Sequence, residues 1–435
     1  MKSLLIKDCS WIITQNPQRA ILREHSVYIE NGVIRDIARN PRYEAEQVIN
    51  GKGMALLPGL INTHTHLPLT LLRGYADDMK LGEWLEKRIW PIEKKLTKQH
   101  CYFGALLGCL ETISTGTTCI MDMCTHSEEV AKAVRHAGLR AFMGAKMIDL
   151  FDHSLQPSQI SNAEKLTQFI QEMKDPKIHA AISPYSPITC SEELLLKAKE
   201  LADRKHLLLQ LHVAETRREQ ADFERKHGIR EIEFLDKIGF LDENVIAVHC
   251  VWITKTEVKI LAKRGVKVSH CPVSNMKMAE GGVAPIPEML ENGVVVSLGT
   301  DSAANNNSLD MFETMKFCAL VHKAHRWDPM ILPAQKVLDL ATIEGAHALG
   351  LGNMLGSIEV GKLADLIIVN LNAPNLAPIP GKETLISHLV YSAKGANVDT
   401  TIVNGEILMR GRKILTINPN ETLEEVQKLA SELIL

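Results

Sequence analysis

LLPGLINTHTH, residues 56–66, sets an apolar, β-rich run directly before two histidines one residue apart. Residues i and i+2 of a strand face the same side, so His64 and His66 can reach one ion. With 17 histidines in the chain such a pair arises readily by chance. Its weight therefore depends on what other runs carry at the same place. Seven further runs follow: TTCIMDM (117–123), LRAFMGAKMI (139–148), KIHAAISP (177–184), HLLLQLHVAE (206–215), NVIAVHC (244–250), VKVSHCP (266–272) and VVVSLGTD (294–301). Helical stretches lie between and after them, such as SEELLLKAKELADRK (191–205) and SLDMFETMKFCALVHKAH (308–325). Eight β–α alternations predict an α/β fold, a (β/α)8 TIM-like barrel. An open doubly wound sheet is the competitor, and the polar residues argue against it. His64 and His66 end the first run, His212 the fifth, His249 the sixth and Asp301 the eighth. The C-terminal mouth of a barrel brings such strand ends together.

The flanks read differently. Residues 1–55 alternate short strands with turns: SLLIKDCSWIIT, then HSVYIENGVIRDIA with a hairpin turn at Asn31-Gly32. The style returns after the barrel in LADLIIVNL and in DTTIVNGEILMRG, with a second turn at Asn404-Gly405. Neither flank buries enough surface alone. The expected solution is a small β-sandwich formed from both chain ends, residues 1–55 and 359–435, around a barrel of residues 56–358. An amphipathic helix over 421–434 is expected to pack nearby. Met311, Met315, Cys318 and Ala319 recur at helical spacing and read as core rather than as a binding stripe.

A chain of 435 residues is long enough for a barrel plus a smaller unit. Its 45% hydrophobic and 23% charged residues match a soluble globular protein. A net charge of −3 gives no reason to expect nucleic acid or an anionic membrane as partner. No apolar run reaches eighteen residues, so no transmembrane helix is expected. The start, MKSLLIKDCSWIIT, lacks a long apolar core and reads as a strand rather than a signal peptide. The nine cysteines include no CxxC pair, which fits reduced thiols and a cytoplasmic location. Cys250 and Cys271 each follow a histidine, yet read as small buried residues at strand ends. The expected partner is a small-molecule substrate; self-association into a homo-oligomer stays open.

Three imidazoles and one carboxylate, from His64, His66, His212 and Asp301, suit one divalent metal. Zn2+ is the first choice, with Fe2+ or Mn2+ as alternatives. Such a metal lowers the pKa of a bound water toward about 7. Glu215 follows His212 by three residues, where a carboxylate can take and return that proton. His249 is either a ligand of a second metal or a group that orients the water. A two-metal site also needs a bridging carboxylate or modified lysine. The end of the fourth run, Pro184-Tyr185-Ser186, offers neither, and Lys146 is the weaker remaining bridge. One metal is therefore expected.

Taken together, PGLINTHTHLPLTLLRG, HVAET, HCVWIT, SHCPVSNMKMAEGGVAPIPEMLENGVVVSLGTDSAANN and GSIEVGKLADLIIV resemble the amidohydrolase superfamily. More narrowly they resemble its 5-methylthioadenosine/S-adenosylhomocysteine deaminases, over nearly the whole chain. The resemblance implies a distorted barrel with a β-sandwich. It implies metal ligation by His64, His66, His212 and Asp301, proton shuttling by Glu215, and contact of His249 with the water and the tetrahedral centre. Catalysis would rest on Glu215, His249 and Asp301. WLEKRIWPIEKKLT resembles the segment in which a glutamate grips the ribose hydroxyls, here Glu93; the alternative is a solvated helix residue beside Lys94. Trp84 and Trp90 either wall the pocket or pack in the core. Two departures stand out. Tyr185, in Ser183-Pro184-Tyr185-Ser186-Pro187, stands where the family commonly has a histidine against the base. Around Gly144-Ala145-Lys146 no arginine stands in the register after the third run where users of S-adenosylhomocysteine carry one.

The implied activity is metal-dependent hydrolytic deamination of an adenosine-type nucleoside: 5-methylthioadenosine, 5′-deoxyadenosine, adenosine or S-adenosylhomocysteine. A metal-activated water would attack the amino-bearing ring carbon and release ammonia. MKFCALVHKAHRWDP and ATIEGAHALGLGNMLGSIEVGKLADLI also resemble the triazine hydrolases. A hydrolase of another amino- or chloro-substituted heterocycle, such as a triazine, guanine or pterin, is thus the second reading. A non-catalytic scaffold is the third; it would be expected to have lost a metal ligand or the shuttle acid.

Overall fold

The computed structural model describes residues 2–434. Five strands come first: β1 (Ser3–Ile13), β2 (Ile21–Glu30), β3 (Val33–Ala38), β4 (Gln47–Asn50) and β5 (Met54–Pro58). Eight more follow: β6 (Leu60–Thr65), β7 (Thr117–Cys124), β8 (Arg140–Met147), β9 (Ile178–Pro184), β10 (Leu208–Val213), β11 (Val245–His249), β12 (Lys267–His270) and β13 (Val296–Leu298). The last four are β14 (Leu366–Asn370), β15 (Val398–Val403), β16 (Glu406–Arg410) and β17 (Lys413–Ile414).

Strands β6 to β13 pair in chain order, all parallel, as the eight staves of a TIM-like barrel. They are nearly continuous runs of buried residues, as expected of parallel strands covered by helices. The last stave returns to the first through a parallel bridge between Thr65 and Asp301. Beside that bridge, Asn62 Nδ2 donates to Thr300 Oγ1 at 2.7 Å.

The other nine strands form one mixed sheet drawn from both chain ends, ordered β17-β16-β15-β14-β5-β1-β2-β3 with β4 on β1. Its apolar side chains, among them Ile6, Ile12, Ile29, Ile34, Leu56, Leu366, Ile368 and Ile402, make a core of their own. Both expected hairpin turns form. Asn31 and Gly32 have φ of 51° and 80°, and Asn404 and Gly405 have 52° and 74°. Two successive left-handed residues are the signature of the turn that matches strand twist.

The run 56–66 departs from the reading as one barrel strand. It splits at Gly59: β5 pairs with β14 in the end sheet, and β6 opens the barrel. A Cβ at Gly59 would lie 2.0 Å from Thr118 Oγ1, so only glycine lets the chain cross beside β7. Gly59 N–H donates to the Asp365 carbonyl at 2.9 Å. The Asp365 carboxylate takes Arg140 Nε and Nη2 at 2.8 and 3.0 Å, a buried bidentate pair tying barrel strand β8 to the end sheet.

The helices Glu192–Lys205, Met311–Arg326 and Pro419–Ile434 lie where the periodicity puts them. Met311, Met315, Cys318 and Ala319 are all fully buried. In the last helix Thr422, Val426, Leu429 and Leu433 form the buried face. Among the described residues no helix is long and apolar enough to cross a membrane.

Candidate functional site

His64 and His66 stand at the end of β6, His212 in β10, His249 at the end of β11, and Asp301 just past β13. All five are buried. The Nε2 atoms of His64 and His212 are 3.2 Å apart. Asp301 Oδ1 lies 3.6 Å from His64 Nε2 and 3.4 Å from His66 Nε2. The far side of each ring is tied to an acceptor. Nδ1 of His64 donates to Gln210 Oε1 at 3.0 Å, that of His66 to the Met123 carbonyl at 2.6 Å, and that of His212 to the Tyr185 carbonyl at 2.7 Å. An acceptor on Nδ1 leaves the lone pair on Nε2. Facing lone pairs repel in a buried space, so this donor set of three nitrogens and a carboxylate fits a divalent cation.

Asp301 is held from behind. Ser274 Oγ and Asn305 Nδ2 donate to its Oδ2 at 2.7 Å each, and the Ser302 N–H donates to Oδ1 at 2.7 Å. Asp301 and His249 adopt φ of 63° and 71°, backbone strain that collects at functional sites. Burial, with His64 beside it, pushes His66 down to about 4. Burial likewise drives His212 well below its ordinary value. Both rings are therefore neutral, the form that ligates. Burial alone would raise the Asp301 carboxyl, but the imidazoles around it, His64 first, hold it well below the usual range.

Glu215 Oε2 lies 3.7 Å from His249 Nε2. Burial first, and then Glu280, Glu219 and Asp301, raise the Glu215 carboxyl well above its ordinary value. That places a proton-bearing carboxyl beside the four converging groups. His249 Nδ1 accepts from Asn275 Nδ2 at 2.9 Å, and burial holds the ring down to about 3.

The pocket above these groups is walled by Leu81, Trp84, Glu93, Lys146 and Tyr185. Trp84 is buried, while Trp90 borders the adjoining cavity. Glu93 receives Lys146 Nζ on both oxygens at 2.7 Å. Lys146, the remaining bridge candidate of the sequence, is thus engaged by Glu93. The Tyr185 ring stands 4.4 Å from that of His212. Cys250 and Cys271 are buried thiols outside every His/Cys/Asp/Glu group close enough to share an ion among the described residues.

Gln210, Ser274, Asn275, Glu280 and Asn305 escaped the sequence reading. Gln210 had a signal: it precedes His212 by two residues and so shares its strand face. The others sit in loops and short helices whose approach to the barrel mouth only tertiary structure reveals.

The sequence profile of the Amidohydrolase family matches residues 55–408. The chain belongs to the amidohydrolase family. Over its whole length this amidohydrolase is 43% identical to a 5′-deoxyadenosine deaminase of Methanosarcina acetivorans, covering 99% of that protein. It is 45% identical, over 94% of both chains, to a 5-methylthioadenosine/S-adenosylhomocysteine deaminase of Thermococcus sibiricus. Among solved structures it resembles a zinc-bound adenosine deaminase from Xanthomonas campestris, with a TM-score of 0.94, 33% identity, and coverage of 99% and 98% of the two chains. The amidohydrolase takes a divalent metal, for which its buried donor set is suited.

Proposed function

We propose that this amidohydrolase is a zinc-dependent hydrolytic deaminase of adenosine-type nucleosides. The observation that carries the reading is the convergence of three Nδ1-anchored histidines and Asp301 beside the protonated Glu215. The relatives named above support the substrate class. His64, His66, His212 and Asp301 would hold the zinc, which when bound supplies a Lewis acid that ionises water near neutral pH.

The remaining roles belong to side chains. Glu215 gives a proton to the ring nitrogen next to the amino-bearing carbon and takes another from the attacking water. His249 presents its Nε2 to the oxygen that develops charge. Asp301 passes the remaining proton of the added hydroxyl to the amino nitrogen, and ammonia leaves as the carbonyl forms. Trp84 walls the pocket and the phenol of Tyr185 faces the heterocycle. Glu93 accepts the ribose hydroxyls. A carboxylate has about four lone-pair sites, so the bonds from Lys146 leave room for two hydroxyl donors.

The cation that lines this pocket, Lys146, is already paired with Glu93. Among the described residues no arginine lines this pocket, so an amino-acid carboxylate meets no bidentate guanidinium there; Arg218 lines only the adjoining cavity. The enzyme should therefore prefer 5′-deoxyadenosine, 5-methylthioadenosine or adenosine to S-adenosylhomocysteine. Ammonia release by the zinc-loaded protein, measured against these four compounds, guanine and an aminotriazine, tests the reading. Turnover of the nucleosides with a higher kcat/KM than S-adenosylhomocysteine is expected. Ammonia from guanine or the triazine alone would overturn the nucleoside assignment.

A further inference from the structure

Glu280 sits in the loop after the short helix Pro272–Lys277, only 4% exposed. Its backbone carbonyl accepts from Trp252 Nε1 at 2.8 Å, which pins the loop against the barrel mouth. Its carboxylate Oε2 accepts from Asn275 Nδ2 at 2.6 Å. The same Nδ2 donates its second hydrogen to His249 Nδ1 at 2.9 Å. Oxygens of Glu280 and Glu215 and a ring nitrogen of His249 all lie within 4.8 Å of one another.

A side-chain amide has two faces, one donating and one accepting, and an ionised carboxylate can meet only the donating one. Burial pushes Glu280 up to about 8, but the hydrogen bond it shares with Glu215 lowers Glu280 and raises Glu215, which leaves Glu280 the acceptor of that pair. Glu280 therefore decides which way Asn275 points. With the amide nitrogen inward, His249 Nδ1 has to be an acceptor. The single hydrogen of the neutral ring is then on Nε2, and that atom has no hydrogen-bond partner among the described residues. Nε2 faces Glu215 at 3.7 Å, and the His249 ring stands 5.9 Å from that of His64.

We infer that Glu280 is a positioning residue: acting through the Asn275 amide, it fixes His249 as the Nε2–H tautomer and so supplies a hydrogen-bond donor directed at the reacting centre. Had the opposite tautomer formed, a lone pair would face the oxygen that gains negative charge. Loss of one such donor costs on the order of 10²–10³ in kcat where it has been measured. The kinetic consequence rests on the deaminase reading; the tautomer does not.

The test uses full-length, zinc-loaded protein labelled with 15N-histidine. Long-range 1H–15N correlation spectra separate the two tautomers, and His249→Gln identifies the His249 signals by their disappearance. The native enzyme is expected to show His249 as Nε2–H. In Glu280→Gln the new amide can donate to the Asn275 oxygen. Asn275 then turns, and His249 is expected to shift toward Nδ1–H. On the deaminase reading kcat falls about 10²-fold, within the range for a lost oxyanion donor, while KM and zinc content stay within about twofold. A native spectrum with His249 as Nδ1–H or as imidazolium overturns the proposal, and it does so whether or not Glu280→Gln folds. An unchanged tautomer in Glu280→Gln also overturns it, as does a loss of activity that only tracks lost zinc. Failure of every nucleoside to react would sink the substrate reading and leave the spectra to decide this one.

Discussion

His270 and His322 lie as close together as His64 and His212 do, with Nε2 atoms 3.1 Å apart against 3.2 Å. Both pairs are buried, and Cys318 stands close enough to the first to complete a third corner. The surroundings differ. His64 and His212 each have Nδ1 tied to an oxygen, and an anion, Asp301, stands opposite. In the other cluster, among the described residues, both Nδ1 atoms lack partners and no carboxylate belongs to the group. Burial pushes the Cys318 thiol up to about 12, so it stays protonated and does not replace the missing anion. The His270–His322 pair reads as a neutral hydrogen bond inside the core. Proximity of imidazoles therefore does not make a metal site; orientation from behind and a countercharge do.

That contrast can be broken by counting metal. Asp301→Ala should drop bound zinc from about one per chain to nearly none and abolish turnover, because it removes the anion. Two zincs per native chain by elemental analysis, one of them lost in His322→Leu, would show that the core pair binds an ion after all. Glu215→Gln removes the proton carrier and leaves the ligands alone. It should keep its zinc and lose about 10²–10⁴-fold in kcat; near-normal turnover would assign the proton to another group. Glu93→Ala touches only the substrate side. It should cost about 1.5–3 kcal/mol in kcat/KM for a nucleoside, the scale of hydrogen bonds to a charged group. Equal losses for a nucleoside and for any free base that is turned over would refute its ribose role. The smallest effect on function is expected at the core pair. His322→Leu leaves His270 Nε2 without its partner and should destabilise the fold by about 1–3 kcal/mol in denaturant titration. Its zinc content should match the native enzyme, and lost zinc there would erase the distinction.

The sequence disclosed the barrel because each stave is an apolar run and the polar exceptions gather at the run ends. It disclosed the ligands because His64 and His66 share a strand face and the rest repeat that placement. The run 56–66 reads as one strand for the same reason: β5 and β6 join at Gly59 without a polar break, so two strands of different sheets look like one. The Glu93–Lys146 pair was hidden because its members are 53 residues apart and each has a plausible solvated role. Glu280 was hidden more deeply. An acidic residue before two glycines reads as an exposed turn, and only the packing of the loop over His249 shows that it is buried.

The end sheet bears on how the molecule is made. β5 lies between β1 and β14, and β14 begins at Leu366. As the chain leaves the ribosome, the first five strands and the whole barrel emerge before the strand that covers the edge of β5. Until then β5 presents an open hydrogen-bonding edge of apolar residues, Met54–Pro58, of the kind that templates association between chains. Arg140 likewise waits, without its carboxylate, for Asp365. The strands from Leu366 onward close a sheet that the first five strands begin, and the nascent chain is most exposed to misassembly during the long interval between them.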